Sequence, residues 1–355
     1  MTKPFVKKTY YAMTLDPVHV GTGGYRLGRV DNTITREPGT NLPKIPGSSI
    51  AGVTRAYTAM AVQSEYPTKM KYHREKAVEI IKPDGTKEPG IVYDSCAGKG
   101  GEGGDSHCGQ PNCEVCVPFG FSRKSGTSFQ GLAQFFDARI LFFPVHSMIG
   151  PVWVTSQSTL NDFCVTLKSQ SITIEIDDRL DDDELIQTEL VEADENLNMG
   201  WLLLKNKEKV NPIKTAIPHL PSEIVDRLVL VSDKLFSRIV NDNLEVRTSV
   251  AIDPATGAAE DGALFTYEAI PRATVMWFDI VYNKPEYFRI NTDKSISLSE
   301  PTNYVNPLRN PGVKDQKGFM AFNVEKGLNY FETLGVGGMG TRGMGRMRVL
   351  NLGGQ

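Results

Sequence analysis

Two glycine-rich loops, one near each end of the chain, constrain the fold more than any other sequence feature. The first glycine loop covers residues 19–29, and the C-terminal glycine loop covers residues 334–346. Each loop is followed by a run of β-forming residues, and a helical pattern lies between the two loops. Strand and helix patterns that mix in this way, without regular alternation, predict an α+β fold rather than a βαβ series.

The first glycine loop combines backbone that can approach a ligand closely with positive charge. Glycine carries nothing beyond Cα, so its amide can line a phosphate, and a nearby arginine can neutralise the phosphate charge. No Gly-Lys-Ser/Thr sequence follows, which excludes a Walker loop. Taken alone, a structural turn is the simpler interpretation. The candidate phosphate contacts are Gly21, Gly23, Gly24, Arg26 and Arg29.

A helix is predicted over roughly residues 49–63, where apolar side chains recur at helical spacing. The residues Gly47, Ser48 and Ser49 offer bare amides and hydroxyls, which can bind an anion at a helix N-terminus. Arg55 lies further along the same helix and could contact the same anion. An ordinary N-cap formed by one of the two serines explains the pattern equally well.

Asp31 is an isolated carboxylate just after the first glycine loop, close to Arg29 and Arg36. Near an RNA phosphate, a carboxylate can bind a divalent cation or help to activate a 2′-hydroxyl. Arg36 would then be a further phosphate contact. An ordinary surface aspartate at the start of a strand is the alternative, because sequence spacing alone does not distinguish the two.

Four of the five cysteines lie within 21 residues, with the spacing Cys96-x11-Cys108-x4-Cys113-x2-Cys116. A cytosolic chain keeps its thiols reduced, so this clustering favours a metal site over disulfides. Four thiolates hold zinc tetrahedrally and leave no position for water, which predicts a structural site. His107 could replace one of the thiolates. The alternative is four reduced cysteines in a loop.

The C-terminal glycine loop carries Arg342 and Arg346, and the last 20 residues contain three arginines and no acidic residue. A flexible basic loop suits a phosphodiester backbone. Gly335, Gly337 and Gly338 would allow that backbone to approach closely. A mobile tail whose arginines only increase solubility is the alternative, but the apolar strand that follows the loop argues against it.

Charge is distributed unevenly along the 355 residues, although the formal net charge is only −3. Residues 1–150 carry 18 basic and 13 acidic side chains, a net charge of +5, and the remaining residues carry −8. One polyanion-binding face would account for this distribution, and so would chance. No segment is long and apolar enough to cross a bilayer, and the N-terminus lacks the apolar run of a signal peptide. We therefore expect a cytoplasmic protein without a membrane partner.

Three segments are predicted to be insertions in a single domain that spans residues 1–355. The first, at about 84–118, holds the cysteines and lacks apolar residues for a core of its own. The second, at about 175–215, is strongly acidic, and a solvated helix or a flexible segment is expected there. The third, at about 248–279, has a strand–turn–strand pattern with proline and glycine in the turn, which predicts a long hairpin.

In their order along the chain, these segments resemble the RAMP superfamily, and within it the Cas seven backbone subunits of type III CRISPR effector complexes. Two of the motifs resemble the Cmr variety, and the cysteine pattern resembles the Csm variety. Ala51 stands where the family often has a lysine, and the cysteine-bearing insertion is larger than in a usual Cmr chain, which indicates a subtype D or E relative. The matching motifs are Val30-Asp31-Asn32, LPKIPGSSIAG at 42–52, FDARILFFPV at 136–145, residues 252–265, residues 334–346, and Cys113-Glu114-Val115-Cys116 before Phe119-Gly120.

The resemblance implies a modified RRM-like, or ferredoxin-like, palm with a zinc knuckle and a thumb hairpin. It also implies that copies of the chain stack with other Cas subunits along a guide CRISPR RNA, and that the thumb separates the guide from single-stranded target RNA at regular intervals. Asp31 matches the aspartate that supports metal-dependent cleavage of the target in active relatives, with Mg²⁺ or Mn²⁺ as the expected cation. Lys44 joins the residues above as a contact to the guide backbone, which is held by shape and charge.

Three alternatives remain open. A binding-only backbone subunit would share the fold without cleavage, although inactive relatives often lack an acid at the position of Asp31. A guide-RNA processing endoribonuclease would use a histidine for acid–base chemistry, and His19 is the candidate, although a packing role is the alternative for it. If Asp31 were not required, His19 or Glu268 near the hairpin would be the next candidates. An unrelated metalloprotein built around the cysteines would leave both glycine loops unexplained.

Overall fold

Helices cover both faces of one large β-sheet, and this arrangement confirms the predicted α+β class. The computed structural model describes residues 3–23, 30–65, 75–82, 84–93, 96–98, 107–123, 126–166, 180–187, 190–192, 195–209, 219–260, 263–290, 294–296 and 316–352. The helices of these residues are α1 Gly47–Glu65, α2 Cys116–Phe119, α3 Gln157–Thr166, α4 Ser222–Val225, α5 Asp233–Asp242 and α6 Gln316–Asn329. The strands are β1 Phe5–Thr14, β2 Lys44–Ile45, β3 Glu75–Ile81, β4 Lys87–Tyr93, β5 Phe121–Ser122, β6 Ser128–Phe129, β7 Ala133–Phe135, β8 Ala138–Ser147, β9 Gly150–Ser156, β10 Glu184–Gln187, β11 Asn196–Met199, β12 Leu202–Lys209, β13 Leu228–Val231, β14 Glu245–Ser249, β15 Phe265–Ala269, β16 Val275–Asn283, β17 Arg289–Ile290, β18 Lys294–Ser295 and β19 Met347–Val349.

The central sheet has the order β11-β12-β10-β13-β9-β8-β16-β1-β19, with β2 paired to β8 and β7 paired to β16. Neighbours in the part β8-β16-β1-β19 are antiparallel, whereas β13 is parallel to β9 and β12 is parallel to β10. The strand β1 therefore lies inside the sheet, between β16 and β19, although it comes first in the chain. This order brings the two ends of the described chain together beside the strand that follows the hairpin.

Alternate side chains of β1 point to opposite faces of the sheet, as the period of two requires. Tyr10 belongs to the buried cluster that includes α1 and α6, and Tyr11 belongs to the buried cluster that includes α3. Where α6 crosses α1, a β-carbon on Gly327 would lie 2.4 Å from the carbonyl oxygen of Thr54. The absence of a side chain at Gly327 therefore allows the two helices to approach closely.

The helix expected at 49–63 is confirmed as α1, which begins at Gly47 and is longer than predicted at both ends. The strand-like run at 30–36 forms only isolated bridges, to the first glycine loop, to β15 and to the residues before β2. It lies along β15 because the amide of Asn32 donates to Thr266 and its carbonyl oxygen accepts from Glu268, each at 3.0 Å. Within the part of the chain that the structure describes, no helix combines the length and the apolar character needed to cross a membrane.

The hairpin predicted at about 248–279 is shorter than expected and lies earlier in the chain. Strands β14 and β15 pair antiparallel, with Glu245 opposite Ala269 and Ser249 opposite Phe265. The apolar run that follows forms β16, whose mostly buried side chains belong to the central sheet between β1 and β8. The predicted end of the hairpin is wrong because β16 joins the central sheet instead of returning along β14.

The acidic segment at about 175–215, for which a solvated helix or a flexible segment was predicted, contributes strands in its described part. Strands β10, β11 and β12 lie at one edge of the central sheet. Leu185 and Leu204 are buried there, so short apolar runs between the acidic residues supply the side of these strands that faces the core. The abundance of acidic residues obscured these short apolar runs in the sequence. Residues 175–179 and 210–215 lie outside the described residues.

Candidate nucleic-acid interface and metal centre

The two glycine loops lie side by side in their described parts, and His19 joins them. The amide of Gly338 donates to the carbonyl oxygen of His19 at 2.8 Å, and the amide of Gly345 donates to that of Pro17 at 2.9 Å. At Gly337, whose φ is +89°, a β-carbon would lie 2.4 Å from the same oxygen of His19. The contact between the loops therefore excludes a side chain at Gly337, whatever the loops bind.

The remaining glycines of these loops are of two kinds. A β-carbon on Gly335 would lie 2.7 Å from the backbone of Gly345, and one on Gly21 would lie 3.0 Å from the nearest imidazole, so internal packing accounts for both. Nothing lies within 4 Å of such an atom on Gly23, and Gly338 has only an ordinary contact at 3.6 Å. These two positions leave backbone open to a ligand. Gly24, Arg26 and Arg29 lie outside the described residues.

His19 has the surroundings of a packing residue. It is 6% exposed, its Nδ1 lies 2.6 Å from the carbonyl oxygen of Glu268, and its ring meets that of Tyr267 edge-on. A carbonyl oxygen can only accept, so Nδ1 is the donor in this hydrogen bond. The buried ring thus connects the hairpin to the first glycine loop, and this geometry offers no support for the acid–base role considered for it.

Asp31 is exposed at the base of the hairpin and is held there by one residue. Its Oδ2 accepts from the amide of Thr266 at 2.7 Å and from the hydroxyl of Thr266 at 2.9 Å. Its Oδ1 has no hydrogen-bond partner among the residues that the structure describes. The hydrogen bonds from the amide and hydroxyl of Thr266 hold the pKa of Asp31 below its usual value, so the carboxylate is ionised at neutral pH.

Arg36 and Glu268 form an ion pair on the same side of β15 as Asp31. Nη2 of Arg36 lies 2.8 Å from Oε2 of Glu268, and Nε lies 3.0 Å from Oδ1 of Asn241. The same oxygen of Glu268 also accepts from the amide of Ile34 at 3.3 Å. In the free chain the guanidinium of Arg36 and the carboxylate of Glu268 are thus engaged with each other, and this ion pair gives no support to the roles predicted for them, a phosphate contact and acid–base chemistry.

The C-terminal glycine loop packs against one side of the hairpin through Met339 and Met344, which contact Phe265 and Tyr267. The guanidinium carbon of Arg342 lies 5.1 Å from the centre of the Phe265 ring, within the range of a cation–π interaction. Arg342 is exposed and has no acidic partner among the described residues. Its charge is therefore available to a ligand, and the contact with a phosphate stays a prediction.

Arg346, in contrast, is paired with Asp16 by two hydrogen bonds, one from Nε to Oδ2 and one from Nη2 to Oδ1 at 3.2 Å. The hydrogen bond from Arg346 is the main cause of a lowered pKa of Asp16, and the charges of Arg272 and Arg247 also contribute. These last two arginines were not among the predicted contacts. The available signal was their position in sequence, Arg272 inside the segment predicted to be the hairpin and Arg247 directly before it. Together the three arginines place positive charge at the base of the hairpin.

The N-terminus of α1 is capped from within the protein. The amide of Gly47 donates to Oδ1 of Asp137 at 2.8 Å, and Nζ of Lys44 lies 2.6 Å from its Oδ2. Burial opposes ionisation, but the hydrogen bonds from Lys44 and Gly47 outweigh it and lower the pKa of Asp137. This carboxylate takes the place predicted for a phosphate at Gly47 and Lys44. Of the two serines, Ser48 is exposed and Ser49 is partly exposed, and both stay candidate contacts.

The sulfur atoms of Cys96, Cys108, Cys113 and Cys116 all lie within 4.8 Å of one another, and all four residues are buried. Those of Cys108 and Cys116 are 3.8 Å apart, which matches two corners of a tetrahedron with metal–sulfur bonds of about 2.3 Å. The amide of Cys108 donates to the sulfur of Cys96 at 3.3 Å, and the amide of Cys116 to that of Cys113 at 3.2 Å. These amides stabilise thiolates. The donor set and its spacing fit a zinc ion.

His107 and Arg55 lie beside the cysteine cluster and not in the roles expected for them. Nη2 of Arg55 lies 3.0 Å from Nδ1 of His107, and its Nε donates to the carbonyl oxygen of Cys96 at 2.9 Å. Burial lowers the pKa of Arg55, and the charges of the nearby cysteines, Cys116 first, oppose this. Among the described residues the four-sulfur group does not include His107, and Arg55 contacts the cluster instead of an anion at the start of α1.

A model of the RAMP superfamily matches residues 11–348 of the chain. The chain is 27% identical over 277 residues to the CRISPR system Cmr endoribonuclease Cmr4 of Pyrococcus furiosus, a match that covers 74% of this chain and 77% of that protein. It is 35% identical over 83 residues to the CRISPR system Cms endoribonuclease Csm3 of Enterococcus italicus, a match that covers 23% and 38% of the two chains.

Solved structures resemble this one over nearly its whole length. A chain in the cryo-EM structure of the type III-B Cmr-beta bound to cognate target RNA has a TM-score of 0.58 and 12% identity, and the match covers 98% of this chain and 99% of that one. A crystal structure of Cmr4 has a TM-score of 0.53 and 19% identity, with 98% and 100% of the two chains covered. At these identities, the likeness concerns the fold alone.

Proposed function

The chain belongs to the RAMP superfamily, and on that premise we propose that it is a Cas seven-type backbone subunit of a type III CRISPR complex, which binds a guide RNA and cleaves complementary target RNA. The observation that carries the proposal is the position of Asp31. It is an exposed, ionised carboxylate held against a hairpin, and the other side of that hairpin packs against the C-terminal glycine loop, which carries the exposed Arg342. Both named relatives are called CRISPR endoribonucleases, and one similar structure is described as bound to cognate target RNA.

The connectivity of the sheet supports an RRM-like, or ferredoxin-like, palm. In chain order, the elements β1–α1–β8–β16–α6–β19 follow the β-α-β-β-α-β pattern, and their strands are adjacent in the order β8-β16-β1-β19. The helices α1 and α6 pack together on the face that carries Tyr10. In this proposal, the hairpin β14–β15 is the thumb, and it projects from the palm next to the strand β16.

The guide RNA would be gripped at the base of the hairpin by charge and by open backbone. Arg342 has a free charged face, and Gly23 and Gly338 leave backbone uncovered. Arg272 adds positive charge near Asp16, as does Arg247, which is also paired with Glu245. Contacts of this kind recognise phosphates and not bases, so sequence specificity would come from pairing between guide and target. Further copies of the chain and other Cas subunits would be its protein partners.

Cleavage would use the target's own 2′-hydroxyl, which gives up its proton to solvent as its oxygen bonds to the neighbouring phosphorus. The bond from phosphorus to the 5′-oxygen breaks, and the leaving 5′-oxygen takes a proton from solvent. The hairpin would separate guide from target until that hydroxyl is aligned, because alignment supplies much of the rate. The free Oδ1 of Asp31 fits a hard cation such as Mg²⁺ or Mn²⁺, which typically takes one or two carboxylates together with phosphate oxygens. Such an ion would neutralise negative charge on the phosphate. Asp31 contributes its ionised carboxylate, oriented by Thr266.

The cysteine cluster would hold one zinc ion with a purely structural role. Four buried sulfurs form a complete tetrahedral donor set, so no position is left for water or substrate. The four cysteines also belong to the same buried cluster as the central sheet. In this proposal the zinc ion fixes the segment around residues 96–119 against α1, where Arg55 contacts it.

Complexes assembled on a guide RNA test the proposed function directly. We expect the wild type to cut complementary RNA at regular intervals, and a chelator to stop it. Asp31→Ala should bind the same RNA normally and leave it intact, because a carboxylate makes little favourable contact with RNA. Cleavage at the wild-type rate by Asp31→Ala would contradict the assignment of Asp31. A wild-type complex that binds and never cuts would establish the binding-only alternative.

A further inference from the structure

Thr266 makes all the hydrogen bonds that Asp31 forms with the described residues. Its amide and its hydroxyl both donate to Oδ2 of Asp31, at 2.7 and 2.9 Å, and the same hydroxyl accepts from the amide of Asp31 at 3.0 Å. A hydroxyl has one hydrogen and two lone pairs, so it can make both of its bonds at once. The pair is therefore reciprocal and fixes the backbone of Asp31 as well as its side chain.

The strand β15 gives Thr266 a defined direction. Successive residues of a strand face opposite sides, and Phe265 and Tyr267 face the C-terminal glycine loop. Thr266 therefore faces the segment that carries Asp31. The amide of Asn32 donates to the carbonyl oxygen of Thr266 at 3.0 Å, which fixes the register of that segment along the strand. Among the described residues, the position of the carboxylate is thus set by the hairpin.

We propose that Thr266 is the positioning residue for Asp31 in target cleavage. Granted the proposed function, on which this assignment rests, the hydroxyl of Thr266 holds Oδ2 against the hairpin and leaves Oδ1 facing the solvent where the target would lie. Without the hydroxyl, one of the two bonds to Oδ2 is lost and the carboxylate can turn. A smaller fraction of molecules then presents Oδ1 in the reacting position, which slows cleavage without weakening RNA binding.

The charged side chains that the structure describes on the elements around Asp31 do not provide this orientation. Arg36 and Glu268, which flank the same side of β15, pair with each other at 2.8 Å. Arg247 on β14 pairs with Glu245 at 2.6 Å. Neither ion pair includes Thr266, so both should be unchanged in variants of Thr266. A difference in cleavage rate between such variants therefore reports on the hydroxyl.

The hydrogen bonds from Thr266 also affect the titration of Asp31. They stabilise the ionised form and lower its pKa. Loss of the hydroxyl should therefore raise the pKa of Asp31 part of the way to its usual value. If the ionised carboxylate is needed for cleavage, the acid arm of the pH–rate profile should move to higher pH.

Thr266→Val and Thr266→Ser separate the hydroxyl from the rest of the side chain. Valine keeps the shape and the β-branch, whereas serine keeps the hydroxyl and loses the methyl group. In guide-loaded complexes under single-turnover conditions, we expect Thr266→Val to cleave about 10- to 100-fold more slowly, with target affinity within about twofold of the wild type. Its acid arm should move to higher pH. Thr266→Ser should retain a rate and a pH profile close to those of the wild type.

Equal rates and equal pH profiles in Thr266→Val and the wild type would overturn the assignment. A Thr266→Ser complex as slow as Thr266→Val would also overturn it, because the methyl group would then be the part that matters. If Thr266→Val does not assemble, Thr266→Ala removes the same hydroxyl and carries the same expectation. An unchanged thermal unfolding midpoint establishes that the variant used is folded.

Failure of the proposed function itself would look different, because Asp31→Ala would cleave like the wild type or the wild type would not cleave. In that case the contact can still be tested through the pKa of Asp31, measured by carbon-13 NMR in the same variants. A pKa that rises in Thr266→Val and not in Thr266→Ser supports the positioning contact. A pKa that is the same in all three proteins overturns it.

Discussion

The cysteine cluster and the base of the hairpin differ in how their functional atoms are held. In the cluster, four buried sulfurs face one another, and backbone amides and Arg55 surround them. At the hairpin base, Asp31 and Arg342 are exposed and each is held from one side, by Thr266 and by Phe265. A closed donor set suits a permanent structural ion, whereas charged groups with one open side suit a ligand that arrives from solvent.

The difference between the two sites requires the cysteine cluster to be a structural metal site. The substitution that tests this requirement has the largest expected effect on stability. Cys116→Ser removes one of the four ligands. We expect bound zinc to fall from about one ion per chain to almost none, because three sulfurs no longer complete the tetrahedron. The free energy of unfolding should decrease by about 3–5 kcal/mol, since the metal stabilises the folded state only. Elemental analysis and denaturant unfolding of the purified chain measure the two effects.

Cys164→Ser is the matched control for the cysteine cluster. Cys164 is a free, partly buried cysteine that is not part of the four-sulfur group. Its substitution should leave the zinc content unchanged and have little effect on stability. Wild-type protein that is folded and contains no metal would show that the cluster consists of four reduced thiols.

Substitution of Arg342 tests the open site at the base of the hairpin and has a smaller expected effect, on RNA affinity. Arg342→Ala removes an exposed cation, so the affinity of the chain for guide RNA should fall about threefold to tenfold and the salt dependence of log K should become shallower by about 0.7. Fluorescence anisotropy over a range of salt concentrations measures both. Arg348→Ala is the matched control, because Arg348 pairs with Glu332 within the fold. Equal losses in the two variants would mean that net charge matters and the position does not.

Substitution of Asp16 has the smallest expected effect. It tests the ion pair between Asp16 and Arg346 at the base of the hairpin in the absence of RNA. The hydrogen bond from Arg346 lowers the pKa of Asp16 in the folded chain. A carboxyl with a lowered folded pKa stabilises the fold above its unfolded pKa of about 3.9 and loses this contribution as the pH falls through the folded value. Because the pair is exposed, Asp16→Asn should lower the unfolding midpoint at neutral pH by no more than about 3 °C.

The pH dependence of Asp16→Asn supplies the check on this small effect. The difference in unfolding midpoint between the variant and the wild type should be present at neutral pH. It should disappear in acid, where protonation makes Asp16 of the wild type neutral, like the asparagine of the variant. Thermal unfolding at a series of pH values measures it. A difference that increases as the pH falls would contradict the ion pair between Asp16 and Arg346.

The cluster could be predicted from the sequence, and the hairpin base could not, for a physical reason. The four cysteines are close in sequence, so a short segment can bring them together. The bonds between Asp31 and Thr266 join residues 235 positions apart, and those between Arg346 and Asp16 join residues 330 positions apart. Such contacts depend on the strand order of the central sheet, which local patterns do not encode.

The partners of individual basic residues in the free chain could not be predicted, for one shared reason. Arg36 pairs with Glu268, and Lys44 pairs with Asp137. A basic side chain near a glycine loop has the same local sequence whether its partner is a phosphate or a carboxylate from a distant part of the chain. The helix α1 was predictable because its periodicity is local, whereas the end of the hairpin was not, because the pairing of β16 with β1 decides it.

Cleavage by guide-loaded complexes that carry Asp31→Asn tests most directly whether the hairpin base is where this chain acts on RNA. Asparagine keeps the size of the side chain and an oxygen that can accept from Thr266, whereas the negative charge is removed and the second oxygen is replaced by an NH2 group. We expect target affinity within about twofold of the wild type, and single-turnover cleavage slower by about 100-fold or more, because the ionised carboxylate is lost. Cleavage by Asp31→Asn at the wild-type rate, with the same affinity, would contradict the account.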